Sequence, residues 1–374
     1  MLKKELKKME RVKIMEKKTA DKNLKDLGKK LVKDIESGKN PSMDVPIRTL
    51  SNINYDKKSK MIMLGNKIAK RYFFNVAHVR KFTQTTEVAA LARNLLEAQK
   101  HMSLREVFYA MRRTLPNSNI DIVNEQVESN KAVEDLELIT DLLREQLHIN
   151  ANKLGAAAGR IVIKDKGDLI DWSKLGSGGW SIPSSVEELE FKKVDAKFVL
   201  YMEKAAIWER LHEDKLWDKM KCAIVASQGQ ATRGLRRLLQ RMNTELGLPV
   251  YVLTDFDPYG IYIYSVLKTG SISLAHISTR LAIPEAKFLG LTADDVIKYD
   301  LKRQIIKFKD VDLKRLKELS KYDWFKNKNF WQRQFKMMEE LKGKVELDAL
   351  VTKGITFISD KYIPEKMKNK EWLD

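Results

Sequence analysis

Asp255 and Asp257 stand one residue apart in PVYVLTDFDPYG. Two carboxylates held this close repel each other unless a cation sits between them, and hard oxygen ligands suit Mg²⁺. A second candidate for chemistry is Tyr109 in SLREVFYAMRR. Ser103 with Glu106 three residues on reads as a capping box that opens a helix. Leu104, Val107, Phe108 and Met111 then fall on one face at i, i+3, i+4, i+7 spacing. Tyr109 lies off that stripe, with Arg105, Arg112 and Arg113 as its neighbours on the helix surface. A phenol titrates near pH ~10, so it attacks poorly at neutral pH unless nearby positive charge favours phenolate.

The elements that must hold these residues follow from the pattern around them. KFVLYM, CAIVAS and PVYVLTD read as short apolar strands, each followed by a helical stretch. This β-α-β-α-β order implies a parallel sheet with right-handed crossovers. Glu203 and the Asp255/Asp257 pair then end strands on the same rim, where open α/β sheets build their sites. Pro258 suits the first turn of the helix after the pair. Beyond Lys309 the chain reads as mostly helical, with Trp324, Phe325, Phe330 and Trp331 expected to pack it onto the sheet. Upstream, residues 1 to about 40 read as a Lys/Glu-rich helix. Residues 44 to 65 read as turn plus strand, 75 to 115 as helical, and 121 to 152 as an amphipathic helical region. LGAAAGRIVIKD and the cluster Gly176 to Gly179 look like connecting chain. Neither a Rossmann nor a P-loop glycine pattern is present, so the glycines read as a turn.

Composition narrows the classes. The 374 residues suffice for two or three domains. A hydrophobic content of 43% and a charged content of 32% describe a globular chain. No apolar run approaches the ~20 residues of a membrane span, and the charged N-terminus has no signal-peptide core. The single cysteine, Cys222, excludes a disulfide framework and any cysteine-based zinc site, which points to a cytoplasmic home. The net charge of +19 favours a polyanion, nucleic acid and anionic membrane being the two usual ones. The five histidines are scattered without ligand spacing.

VLYMEK followed about fifty residues later by VLTDFDPYGIYI resembles the Toprim fold, whose acids are a Glu ending one strand and D-x-D ending another. GQATRGLRRLL and REVFYAMRR resemble the A subunits of type IIB topoisomerases, a family that includes the meiotic double-strand-break protein of eukaryotes. PIRTLSNINYD, KFTQTTEV, DWSKLGSGGWSIP and KYIPEKM look like family segments as well, so the resemblance runs from about Pro46 to the end. One departure is Phe108, where many members carry a second tyrosine; Tyr109 is left as the one nucleophile candidate in the motif.

The resemblance implies an α/β multidomain protein. A winged-helix domain carrying the catalytic tyrosine (71–152) would be followed by a connecting region (153–193) and a Toprim domain with a helical C-terminal part (194–374). Residues 1–70 would form an N-terminal extension outside both cores, contacting an ATPase B subunit. It implies that Tyr109 joins the 5′ phosphate of double-stranded DNA, that Arg105 contacts the scissile phosphate, and that Glu203, Asp255 and Asp257 bind Mg²⁺. Arg112, Arg113, Arg233, Arg236 and Arg237 are candidates for the DNA backbone; the last three could equally be a solvated face. Lys204 resembles the family pattern without an assignable role. A homodimer of A subunits joined to two B subunits, in an archaeal cytoplasm on the nucleoid, is the implied assembly. Taken singly, Tyr109 could be a surface aromatic stacked by arginines and the acids could be helix caps. A Toprim nuclease, a break-forming homologue that does not reseal, and a plain DNA-binding protein are the alternatives.

Overall fold

The computed structural model describes the chain from Leu2 to Asp374 apart from Pro116, Asn152 and Gln228, with side chains described from Thr19 onward. The chain divides into two compact units, residues 1–52 with 65–152, and residues 53–64 with 153–374.

In the first unit, α1 (Leu2–Glu36) leads to β1 (Ser42–Pro46). The chain then forms the hairpin β2 (Ile53–Asp56) and β3 (Met61–Leu64), which belongs to the second unit, before β4 (Ile68–Tyr72) returns to pair antiparallel with β1. Next come α2 (Val76–Ala98), β5 (Met102–Ser103), α3 (Leu104–Met111), α4 (Gln126–Thr140) and β6 (Ile149–Asn150). β5 and β6 pair in parallel and bring the start of α3 beside the end of this unit. Val88, Leu96, Val107, Val133, Leu136 and Ile149 are buried in one shared core.

Two expectations are corrected here. The N-terminal extension is not outside the cores, because Ala20, Leu24 and Leu31 of α1 and Met43 and Val45 of β1 are buried in them. The helical region expected over 121–152 ends at Thr140, where Asp141 turns left-handed (φ 52°) and donates its backbone N–H to Glu137.

The second unit is a six-stranded mixed sheet. In chain order its elements begin with β7 (Ala156–Gly159), β8 (Ile161–Asp165), β9 (Asp168–Asp171), β10 (Trp180–Ser181), β11 (Glu190–Val194), β12 (Val199–Met202) and α5 (Ala205–Glu213). They continue with α6 (Leu216–Lys219), β13 (Ala223–Ala226), α7 (Arg233–Leu246), β14 (Val250–Leu253), α8 (Pro258–Thr269), α9 (Ser278–Leu281) and β15 (Lys287–Gly290). The spatial order is β10-β7-β13-β12-β14-β15. β13, β12, β14 and β15 run parallel, whereas β7 and β10 join antiparallel. The stretch read as connecting chain is therefore strand-rich: β7 and β10 extend the main sheet, and β8, β9 and β11 form a three-stranded sheet of their own.

Every residue of β12, β13 and β14 is buried, which is why these strands read as apolar runs rather than alternating ones. Helices follow β15, including Asp310–Leu319 and Asn329–Leu341. Phe325 and Trp331 are buried against the sheet as expected, Trp324 packs partly buried against the same core, and Phe330 faces solvent.

Candidate active site

α3 is eight residues long, too short to hold itself together without caps and packing. Its first turn is fixed by the capping box. Ser103 Oγ accepts from the Glu106 N–H at 3.2 Å, and the Glu106 carboxylate accepts from the Ser103 N–H at 2.6 Å. Val107 and Met111 anchor the inner face, while Leu104 and Phe108 are only half-buried. Tyr109 is 54% exposed on the outer face. Of the three arginines expected around it, only Arg105 lies over the ring, its Cζ 5.9 Å from the centroid. Arg112 lies instead over Phe108, also at 5.9 Å, and Arg113 pairs with Glu87 at 2.5 Å. The phenol thus has Arg105 over its ring and an exposed outer face.

The second unit positions the acids through its parallel strands. β12 and β14 are adjacent and in register, Met202 opposite Leu253, so Glu203 and the Asp255/Asp257 pair leave the same rim side by side. All three acids are partly buried, and each carboxyl is pushed up. Glu203 rises to about 7, chiefly from loss of water and then from the charges of Asp255 and Asp257. Asp255 rises to about 6, from burial first; the hydrogen bond from Leu347 and the charge of Lys204 oppose this rise. Asp257 is raised by burial and held back by the Gly260 N–H, which it caps at the start of α8.

In kind, the donor set fits a hard divalent cation: three carboxylates on adjoining strand ends whose ionised forms repel one another. The convergence expected of them is incomplete. Among the described residues, no three His, Cys, Asp or Glu side chains lie close enough together to hold an ion as they stand. The reason is local. Asp257 is turned to its helix-capping role, and Asp255 Oδ1 accepts from the Leu347 N–H at 2.8 Å.

Lys344, Glu346 and Asp348, which the sequence reading passed over, belong to this rim and give Lys204 its partners. Lys204 Nζ donates to Glu346 at 2.8 Å and to Asp348, and stands 3.9 Å from Asp255 Oδ2. Lys344, paired with Asp312 at 3.2 Å, contributes positive charge to Asp257. The one signal in the sequence was the acid pair Glu346 and Asp348, which repeats the spacing of the D-x-D pair after an apolar Val345.

The α7 arginines do not form the open track or the solvated face weighed for them. Arg236 is 3% exposed, donates to the Val266 carbonyl at 3.2 Å, and is pushed down to about 10 by burial and by the charge of Arg233. Arg233 is also buried. Arg237 is held by both carboxylate oxygens of Glu187, at 2.5 and 2.8 Å.

With this geometry in place, the chain can be set beside known proteins. Residues 198–367 match the family described as the Toprim domain of the topoisomerase 6 A subunit and Spo11. Residues 80–149 match "Type IIB DNA topoisomerase", and residues 153–195 match "All-beta domain in DNA topoisomerase VI alpha subunit". The all-β match covers the stretch read above as a connector. Curated relatives include the type 2 DNA topoisomerase 6 A subunit of Pyrococcus abyssi, 45% identical with 94% of each chain covered. The protein of the same name from Pyrococcus horikoshii is 44% identical, again over 94% of each chain. That of Hyperthermus butylicus is 39% identical over 92% of this chain and 94% of its own. No helix among the described residues is long and apolar enough to cross a membrane. Near full-length matches at this identity, over both the tyrosine-bearing and the Toprim segments, place the chain in the family of DNA topoisomerase VI A subunits.

Proposed function

We propose that the chain is the DNA-cleaving subunit of an ATP-dependent type IIB topoisomerase, breaking both strands of a duplex through 5′-phosphotyrosyl links and resealing them after strand passage. The observation that supports this most strongly is the pairing of two features in one chain. One is a solvent-facing tyrosine beside an arginine on a capped helix, and the other is a half-buried trio of mutually repelling acids on a Toprim sheet.

In this reading residues 71–152 act as a winged-helix domain and residues 194–374 as the Toprim domain, with Tyr109 as nucleophile. Its phenolic oxygen bonds to the phosphorus of a phosphodiester as the bond to the 3′ oxygen breaks, leaving a 3′ hydroxyl. The number of ester bonds is unchanged, so reversal reseals the strand without an outside energy source. Arg105 positions the scissile phosphate and offsets charge on the phenolate. Glu203, Asp255 and Asp257 would hold Mg²⁺, whose chemistry when bound is to stabilise charge on the phosphoryl group and the leaving oxygen. Membership of a Toprim family carries divalent-metal use with it; the choice of Mg²⁺ rests on the hard oxygen donors.

Two cuts on a two-fold symmetric duplex need two tyrosines, which a C2 pair of these chains supplies. Each tyrosine would then be served by the partner's acids. ATP would enter through a B subunit in an A₂B₂ assembly, since this sequence has no P-loop. Arg112 and Arg113 would track the DNA backbone, and the assembly would work on the nucleoid of an archaeal cytoplasm. The test is to mix the purified chain with its B subunit, ATP, Mg²⁺ and supercoiled plasmid. Relaxed topoisomers that appear with wild-type protein and not with Tyr109→Phe support the reading. Plasmid nicked or linearised equally well by Tyr109→Phe would indicate a nuclease instead.

A further inference from the structure

The segment Lys344 to Asp348 is stitched along the D-x-D loop. Phe256 and Val345 exchange both backbone hydrogen bonds, 2.9 and 3.0 Å, as an isolated antiparallel bridge. Two residues on, the Leu347 N–H reaches Asp255 Oδ1 at 2.8 Å. The bridge therefore delivers Glu346 and Asp348 beside Asp255, and both carboxylates close on Lys204 Nζ. Glu346 and Asp348 remain about half exposed, so they are not consumed by core packing. Lys204 is the residue after Glu203 and enters α5 as its N-cap position, which fixes its backbone next to the acid rim. Its ammonium is a cation already resident 3.9 Å from Asp255.

A lysine this close to a candidate metal ligand poses a physical problem. If free, it would move the short remaining distance onto Asp255 and compete with any divalent cation there. Two carboxylates that take its direct hydrogen bonds, while Asp255 Oδ2 stays at 3.9 Å, weaken that competition and leave its charge near the site.

We propose that Glu346 and Asp348 are positioning residues, which park the Lys204 ammonium so that it does not close onto Asp255 and leaves that carboxylate open to a divalent cation. The Lys344 to Asp348 segment is in this view part of the site, not a surface loop. The proposal rests on the reading of Glu203, Asp255 and Asp257 as metal ligands.

The experiment measures Mn²⁺ binding to the full chain by calorimetry and by electron paramagnetic resonance, with no DNA and no turnover. Removing the parking carboxylates in Glu346→Gln/Asp348→Asn should weaken Mn²⁺ binding at least about tenfold, an effect within reach of a unit charge moved onto a partly screened ligand. Adding Lys204→Met to that pair should restore wild-type affinity or better, because the competitor is gone. Lys204→Met alone should bind Mn²⁺ at least as tightly as wild type, and Lys204→Arg should stay near wild type. Failure of Lys204→Met to rescue the double variant, weaker binding by Lys204→Met alone, or no response to the double variant would each overturn the parking role. Absence of Mn²⁺ binding by wild-type protein would instead sink the metal reading of the three acids.

Discussion

The guanidinium of Arg105 lies 5.9 Å from the centre of the Tyr109 ring, one helical turn before it on the same exposed face of α3. Both side chains are exposed, so their pairing is open to a reacting phosphate. Arg105→Ala should lower DNA cleavage by about 10²-fold, the scale of losing one preorganised charged donor. Arg105→Lys should recover only part of that, since an ammonium lacks the two-pronged fit to phosphate. Because Arg105 is exposed, the melting temperature should stay within a degree or two of wild type. Quenched single-turnover cleavage assays check the first two expectations and thermal melts the third.

The helix carrying the phenol depends on its cap. Ser103→Ala removes the acceptor for the Glu106 N–H and should cost about 1 kcal/mol of stability. Cleavage should fall together with it, while Ser103→Asp, which can cap in the same way, should retain both. Denaturant unfolding and cleavage measured on the same samples test the coupling.

The raised carboxyls make a signed prediction about pH. In the folded, metal-free chain Glu203 holds its proton up to about pH 7, and Asp255 up to about pH 6, against ordinary values of 4.5 and 3.8. Across that interval the folded state binds more protons than the unfolded one, so these acids reduce stability as pH rises. Glu203→Gln removes the Glu203 contribution. Relative to wild type in a chelator, the variant should be nearly neutral at about pH 4.5, the ordinary glutamate value, and progressively stabilised up to about pH 8. A stability difference that shrinks or reverses over this range would contradict the electrostatic picture.

The arginines separate by burial. Arg112 is exposed, so Arg112→Ala should weaken DNA binding alike on different sequences and reduce the logarithmic salt slope by about 1. Arg236 is buried with its Nε unpartnered among the described residues, so Arg236→Met should leave the salt slope unchanged. Its stability should be unaffected or improved, as for other buried charges replaced by apolar groups of similar size. Fluorescence anisotropy over a salt series distinguishes the two.

What could be read from the sequence followed the strength of its patterns. β12, β13 and β14 are fully buried runs, and the capping box before Tyr109 is a local rule, so both were legible. β7 and β10 escaped because the small residues AAAG and the two-residue WS carry no strand period. The clamp formed by Lys204, Glu346 and Asp348 joins residues more than 140 positions apart, and no spacing rule encodes that approach. His101 and His148 stack at 4.3 Å for the same reason: the parallel pairing of β5 and β6 brings them together. Arg233 and Arg236 were read as surface residues because charge at helical spacing usually marks a solvated face, yet both are buried, as is Arg241 on the same helix. The Val266 carbonyl accepts from Arg236, and the Val186 and Leu189 carbonyls accept from Arg241.

The central claim is that Tyr109 forms the covalent bond to DNA. Cleavage reactions with the B subunit should be stopped with denaturant, digested with nuclease and protease, and the modified peptide sequenced by mass spectrometry. A nucleotide joined through its 5′ phosphate to Tyr109 is the result this account predicts. A link to any other residue, or cleaved DNA with no protein attached, would contradict it.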